Sequence, residues 1–345
     1  MSPEKEWIAY VNGEYVPQSE AKVSIFDHGF LYGDGVFDTW CTWNGYVFHL
    51  GRHIDRLYRS IHAFQMDMPL TKAQFRKVVI KVVETNGVKN QYIKAIVSRG
   101  VGPRPLLSPI GCKTTVVVFS RPYLRLVEPG QEDKMIKAKI TSLRRTPAQC
   151  LDPKAKNLNY ANLVLAKIEA MNAGADEAIM LDIEGFVNEA PGYNVFAYRD
   201  GALFTPLAEN ILLGVTRDTV FEIAEKEGIP TRAERLIPYD LYTADEVFLC
   251  STAGNAASNG LPPIPQSSTC ETPTVVSFIY RDTTGAWLPY DPASPPSAGT
   301  IAQTTTMDGK SVPMIVRWER GVINRISEEI GKTSRDNGHV VEKAT

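Results

Sequence analysis

The sequence predicts a two-domain α+β protein, and three observations support that class. Its 345 residues are 43% hydrophobic and 22% charged, which suits about two soluble domains, each with apolar side chains for its own core. Asn12-Gly13 and Asn44-Gly45 sit between short apolar segments, the signature of two-residue hairpin turns. Helical spacing alternates with such hairpins along the chain, which argues for mixed layers rather than a doubly wound parallel sheet.

In chain order, residues 7–10 and 14–16 are strands joined by the first Asn-Gly turn, and residues 36–43 and 46–50 are strands joined by the second. Ile54, Leu57, Tyr58, Ile61 and Phe64 recur at helical spacing, which predicts a helix over 52–64, and another follows over 72–85. Residues 92–98 and 114–119 are apolar enough for buried strands. Residues 121–134, polar and broken by Pro122 and Pro129, connect an N-terminal domain of residues 1–120 to a C-terminal domain of residues 135–331. The second domain starts with a strand near Met135. A helix follows, with Leu158, Ala161, Leu165 and Ile168 on its apolar face, and it stops at Gly174. Strands at 178–182, 194–198 and 202–205, a helix over 216–227 and a strand at 246–250 complete the regular part. Residues 255–299 break this texture with eight of the chain's 23 prolines and many Ser and Thr, an atypical insertion, and residues 332–345 are a polar tail.

Composition excludes several functions. Lys plus Arg is 37 against 39 for Asp plus Glu, which leaves no positive surplus for a phosphate backbone and makes nucleic acid and anionic membrane poor partners. Cys41, Cys112, Cys150, Cys250 and Cys270 are odd in number, widely spaced and without a CxxC pair. That pattern speaks against a disulfide framework or a zinc site and for a reducing compartment. Residues 1–25 hold no signal-peptide core and no stretch approaches the ~20 apolar residues of a membrane span, so the expectation is a cytoplasmic protein without a metal.

Four features could carry chemistry. Gly214-Val215-Thr216-Arg217-Asp218 combines a turn-forming glycine with a helix start, where free backbone N–H groups and the positive dipole end favour an anion; the competing reading is an ordinary threonine N-cap. Cys250-Ser251-Thr252-Ala253-Gly254 is a second small-residue turn at a strand end. Lys156, two positions from Lys154, lies near a predicted helix start, where partial burial favours the neutral amine that Schiff-base chemistry needs. Glu189 lies between apolar strands, so it is either at a wet rim or bound to a positive partner such as a protonated pyridine nitrogen.

Lys156-Asn157-Leu158-Asn159, Asn188-Glu189 with Gly192-Tyr193-Asn194-Val195-Phe196, Leu212-Leu213-Gly214-Val215-Thr216-Arg217 and Ser251-Thr252-Ala253 follow one another in a telling order and spacing. With Phe26-Asp27-His28-Gly29 and His53-Ile54-Asp55-Arg56-Leu57 near the start, the chain resembles the class IV aminotransferases, the pyridoxal-phosphate fold type IV group. The likeness covers about residues 7–254 and resumes near Thr300. It implies a two-domain fold with pyridoxal 5'-phosphate in the interdomain cleft and a homodimer. It also implies that Lys156 forms the Schiff base and shuttles the proton, and that Glu189 keeps the pyridine nitrogen protonated. Arg56, Val215, Thr216 and Thr252 would hold the phosphate, Leu212 would pack on the ring, and Tyr160 and Asn194 would lie near it. Excising 255–299 would restore the family's order after Gly254, so that segment is read as a genuine insertion or a translated intron.

The resemblance leaves the substrate mixed. Tyr92 and Lys94 alternate on one strand face, similar to the pair with which branched-chain enzymes hold a substrate carboxylate; the competing reading of Lys94 is a solvent-facing charge. Arg104 in Gly102-Pro103-Arg104-Pro105 is closer to the D-amino-acid enzymes. The substrate side would comprise Phe37, Thr39, Tyr92, Lys94, Arg104 and Ala253, with Phe30 and Trp40 shaping an apolar pocket. The expectation is transfer of an amino group from an aliphatic, branched-chain-like amino acid to a 2-oxo acid. Transamination of a D-amino acid or an (R)-amine, a lyase of the aminodeoxychorismate type, and an inactive relative stay open.

Overall fold

The computed structural model describes residues 6–43, 45–123 and 137–252. Asn44, most of the 121–134 connection, Ala253, the 255–299 segment and the 332–345 tail lie outside the described residues. The chain divides into two compact units, and Lys154–Asn159 belongs to the first although it follows the connection in sequence.

The first unit is built on an antiparallel sheet of β1 (Ile8–Val11), β2 (Glu14–Pro17), β3 (Gly35–Trp43), β4 (Tyr46–Val47), β5 (Gln91–Val101) and β6 (Lys113–Pro122), in the order β2-β1-β6-β5-β3-β4. Asn12 at φ 50° and Gly13 at φ 109° make the first hairpin turn, in backbone conformations that Asn and Gly tolerate best. The β3–β5 register places Phe37, Thr39 and Cys41 opposite Ile96, Lys94 and Tyr92. Directly opposed residues share a face, so these six lie on one side of the sheet and Val36, Asp38 and Trp40 on the other. Helices α2 (Leu50–Ala63) and α3 (Lys72–Asn86) bury Leu57, Phe75, Val79 and Val82 in a core with Trp40, Ile93 and Val97. A Thr71–Gln74 capping box starts α3 and Gly87, at φ 61°, ends it.

The structure corrects several local expectations here. The strand expected over 46–50 ends at Val47, because Leu50 already opens α2. A short helix, α1 (His28–Tyr32), was not expected; Asp27 caps its start and Gly33, at φ 68°, its end. Trp40 is fully buried against Phe75 and His53, on the opposite side from Phe37, so it shapes the core rather than a pocket. Phe30 is 72% exposed and does not line one with it.

In the second unit β7 (Ala138–Arg144) pairs in parallel with β8 (Glu177–Leu181). A four-stranded sheet of β9 (Asn194–Arg199), β10 (Ala202–Pro206), β11 (Thr231–Glu234) and β12 (Glu246–Cys250) runs in the order β11-β10-β9-β12. β11 was missed because Thr231-Arg232-Ala233-Glu234 has no apolar pattern, yet it pairs in parallel with β10. The core holds Ile179, Val195, Leu203, Leu236 and Val247, and the rings of Phe196 and Phe248 stack 5.1 Å apart. Helix α4 (Ala161–Asn172) starts three residues after Leu158 and buries Leu163, Ala166 and Ala170. The face expected to be core is turned outward: Leu165 is 52% exposed and Ile168 45%. Both faces of this helix carry apolar residues, so periodicity could not choose between them. Helix α5 (Val215–Lys226) starts one residue earlier than expected, and the short α6 (Pro238–Tyr242), with its first-turn proline, was missed. Among the described residues no helix is long and apolar enough to cross a membrane.

Replacing Trp40 by Ala removes the largest fully buried side chain of the first unit and should cost about 3–5 kcal/mol of stability. Urea unfolding followed by circular dichroism measures it, and a loss below ~1 kcal/mol contradicts this packing.

Candidate active site

Backbone pairing decides where Lys156 goes. Residues 156–158 run beside the start of β3: Phe37 N–H donates to Lys156 O (2.8 Å), Leu158 N–H donates to Gly35 O (2.9 Å), and Asn157 bridges Val36. This is an extended segment, not the helix start the sequence suggested. Leu158 packs where a Cβ on Gly35 would come within 2.7 Å of its Cδ1, so that glycine admits the segment. Lys154, the competing lysine, is exposed, whereas Lys156 is half-buried.

Lys156 Nζ lies over the Phe37 ring at 4.6 Å and Lys94 Nζ lies over the same ring at 4.3 Å. Lys94 is therefore no solvent-facing charge. Burial, reinforced by the charge of Lys156, brings it down to about 8. Thr39 is opposite Lys94, and Tyr92 is two residues along on the same face. The structure thus brings Phe37, Thr39, Tyr92, Lys94 and Lys156 together. Arg104 is exposed in the loop before β6.

On the other side of β3 the buried Asp38 carboxylate accepts from Arg56 Nε (2.8 Å), Arg56 Nη2 (2.7 Å) and Thr39 N–H (2.7 Å), and lies 2.8 Å from His53 Nδ1. Burial alone would raise Asp38, but the Arg56 guanidinium and the His53 ring outweigh it and hold the carboxyl well below the usual carboxylate range. Sequence reasoning singled out Arg56 and missed Asp38, which orients it. Ser60 Oγ links the two sides: it donates to Arg56 O (3.0 Å) and accepts from Lys156 N–H (3.1 Å).

In the second unit Glu189 is 5% exposed, so the wet-rim reading is overturned. Its positive partner within the chain is Arg145, whose Nε donates at 3.0 Å, while Leu212 N–H donates to the other oxygen at 3.0 Å. Arg145 was not singled out from sequence, because nothing local distinguishes it from Arg144. A carboxylate has about four lone-pair directions, so Glu189 retains capacity for a further donor. The threonine N-cap expected at Thr216 is replaced by Gly214, which caps α5 with no side-chain bond to its first turn. A Cβ there would lie 2.0 Å from Asn194 Oδ1, so only glycine fits; Asn194 Nδ2 in turn donates to Leu212 O (3.0 Å). Thr216 and Thr252 face each other through their hydroxyls at 2.9 Å. An uncapped helix start beside two hydroxyls is a donor set for a phosphate. Tyr160 stands at the start of α4.

The buried Asp38 and a second buried histidine, His49, set a pH dependence. His49 is carried down to about 3, first by burial and then by Arg52 and His53. Its unfolded form accepts a proton near pH ~6.5 while the folded form refuses it, and the depressed Asp38 likewise loses its stabilising charge only on acidification. Stability should fall as pH falls from about 6.5 toward 3, and His49→Gln should flatten the upper part of that slope in chemical unfolding at stepped pH. A stability independent of pH over that window contradicts the burial of these groups.

Comparisons with known proteins identify the family. The family described as amino-transferase class IV matches residues 35–258. A second, tannase-like family of unknown function matches residues 243–331, a span that includes the 255–299 segment. A Methanocaldococcus jannaschii protein assigned as a branched-chain-amino-acid aminotransferase is 46% identical over 246 residues, covering 71% of this chain and 84% of that protein. The D-alanine aminotransferase of Staphylococcus haemolyticus is 34% identical, covering 71% and 85%. The branched-chain aminotransferase of Thermoproteus uzoniensis, solved with norvaline, matches with a TM-score of 0.75 at 27% identity over 99% of this chain and 100% of its own. The T.th. branched-chain amino acid aminotransferase complexed with N-(5'-phosphopyridoxyl)-L-glutamate matches with a TM-score of 0.66 at 34% identity, covering 73% and 83%. With most of the regular structure inside the matched span, the chain belongs to the class IV aminotransferases.

Proposed function

We propose that this protein transfers the amino group of a branched-chain amino acid to a 2-oxo acid with pyridoxal 5'-phosphate as cofactor. The observation that carries the reading is the pair of amines over the Phe37 ring: Lys156 as the nucleophilic amine and Lys94 as a cationic anchor. The cofactor supplies an aldehyde that carries the amino group and a ring that draws electrons from the substrate carbon. The residues present fit it. Lys156 would hold the cofactor through its aldehyde and would move the proton. Glu189, paired with Arg145 and with Leu212 N–H, would accept from the ring nitrogen, and Leu212, Tyr160 and Asn194 would border the ring. Val215 and Thr216 N–H groups with the Thr216 and Thr252 hydroxyls would take the phosphate, and Arg56, oriented by Asp38, would add its charge.

The substrate carboxylate pairs with the Lys94 ammonium and the Tyr92 hydroxyl, and its apolar side chain lies against Phe37 and Thr39. A cation at Lys94 favours an amino acid over an unfunctionalised amine. Transfer from a D-amino acid to a 2-oxo acid is the second reading, supported by Arg104 in its exposed loop and by the D-alanine aminotransferase relative. We further propose a cytoplasmic homodimer. Among the described residues Cys41, Cys112, Cys150 and Cys250 form no disulfide. Ile25, Phe26, Phe30 and Leu31 form an exposed apolar run that a second copy would cover.

Lys156→Ala should lower transamination by about 10³-fold or more. Borohydride reduction followed by peptide mass mapping should place the cofactor on Lys156 in the parent protein; cofactor on Lys154 overturns the assignment. L-leucine should convert the bound cofactor to its amine form, read by absorbance, and conversion by D-alanine alone favours the second reading. Lys94→Ala should raise KM for the amino acid about 10- to 100-fold with a smaller change in kcat. Because Lys94 sits near 8, the parent KM should rise as pH rises through about 8, whereas Lys94→Arg should hold it flat. Sedimentation should give a dimer, and Phe30→Lys should weaken it.

A further inference from the structure

A second group of reactive side chains lies in the first unit, apart from Lys156 and Lys94. His28, on α1, has its Nδ1 3.4 Å from Asp34 Oδ2, and its Nε2 3.7 Å from Cys112 Sγ. Arg99 on β5 donates through Nε and Nη2 to both oxygens of Asp34. With Nδ1–H directed to Asp34, Nε2 is the acceptor facing the thiol S–H. The backbone holds the group together. Gly100, at φ 81°, would bring a Cβ to within 1.6 Å of Lys113 O, and a Cβ on Gly102 would sit 3.1 Å from Cys112 Sγ and 3.6 Å from His28 Nε2. Two glycines therefore let the chain approach closely enough to set the thiol on the imidazole. Cys112 also lines a cavity of about 370 Å³ with Phe64, Asp67, Arg99, Pro109 and Thr114, room for a small molecule beside the sulfur.

We propose that Cys112 is a modification site that captures small neutral disulfides by thiol–disulfide exchange, with His28 as its base and Asp34 holding the imidazole. Cys112 S–H gives its proton to His28 Nε2, and the sulfur attacks one sulfur of the disulfide. A new S–S bond forms on Cys112, the old S–S bond breaks, and the departing thiolate takes the proton back from His28. The disulfide is the oxidant and one equivalent of small thiol is released. Burial pushes the Cys112 thiol up, Arg99 pulls it down, and the carboxylates of Asp34 and Asp27 push it up again. The resting sulfur thus keeps its proton, is strongly nucleophilic once that proton leaves, and depends on the adjacent base. Cys150 is exposed, and Cys41 and Cys250 are buried. Exposure alone therefore favours Cys150 and chemistry favours Cys112.

The test treats the full-length protein with hydroxyethyl disulfide and follows each cysteine by peptide mass mapping. Cys112 should gain the 2-hydroxyethylthiol adduct about tenfold or more faster than Cys150, and faster in the folded protein than in urea, where Cys150 shows no such difference. Cys112→Ser should lose that adduct and keep the parent transaminase rate. His28→Asn should slow the reaction by about 10²-fold in protein whose circular dichroism is unchanged. The proposal is overturned if Cys112 reacts no faster than Cys150, if unfolding does not slow it, or if a folded His28→Asn protein reacts at the parent rate. The comparison of folded with unfolded parent protein decides the matter even where the His28 substitution prevents folding.

Discussion

The pairing of residues 156–158 with the edge of β3 is the interaction on which the proposed chemistry depends. Two backbone hydrogen bonds and one bridge fix the segment, and Gly35 gives Leu158 room to dock. Its side chain would otherwise meet a Cβ, and the segment would have to lift from the strand. Because Lys156 sits between these anchors, its long side chain starts from a fixed point and reaches the Phe37 ring. A flexible four-carbon amine is useful for proton transfer only when its base is held this way.

Around that anchor the first unit separates two kinds of charge on the two faces of one strand. Alternation along β3 puts Asp38 among the helices and Phe37 and Thr39 on the opposite face. The Asp38 carboxylate is saturated by donors and carries Arg56, so a buried charge costs little and a guanidinium is held in one orientation. Ser60 joins that network to the backbone of Lys156. The second unit uses the same economy at α5. Gly214 leaves the first turn without a side-chain cap, and the Asn194 side chain occupies the space a larger residue would need. Stability is given up at that helix start, as is common where backbone N–H groups are kept for a ligand.

Much of this was legible in the sequence because it is local or motif-borne. The Asn-Gly turn, the amphipathic α2 and α3, and the strands β5, β6, β9, β10 and β12 follow from spacing and turn chemistry. One kind of error recurred. Leu158 was assigned to a helix, Trp40 to a pocket and the outward residues of α4 to a core, each because an apolar side chain has no sign for the face it will bury. The short α1 and α6 and the polar β11 carried too few residues to show a period.

The sequence by itself determined the α+β class, the family and the residue types that chemistry requires, since these rest on patterns a few residues long. Only the tertiary structure decided which groups are partners. Arg145 for Glu189, Asp38 for Arg56, and Cys112 for His28 lie 44, 18 and 84 positions apart along the chain. Their meeting is set by strand register and by glycines that admit close approach. A one-residue shift in register would turn each β3 side chain to the other face. No local pattern records that register, because it is fixed by the packing of the whole sheet.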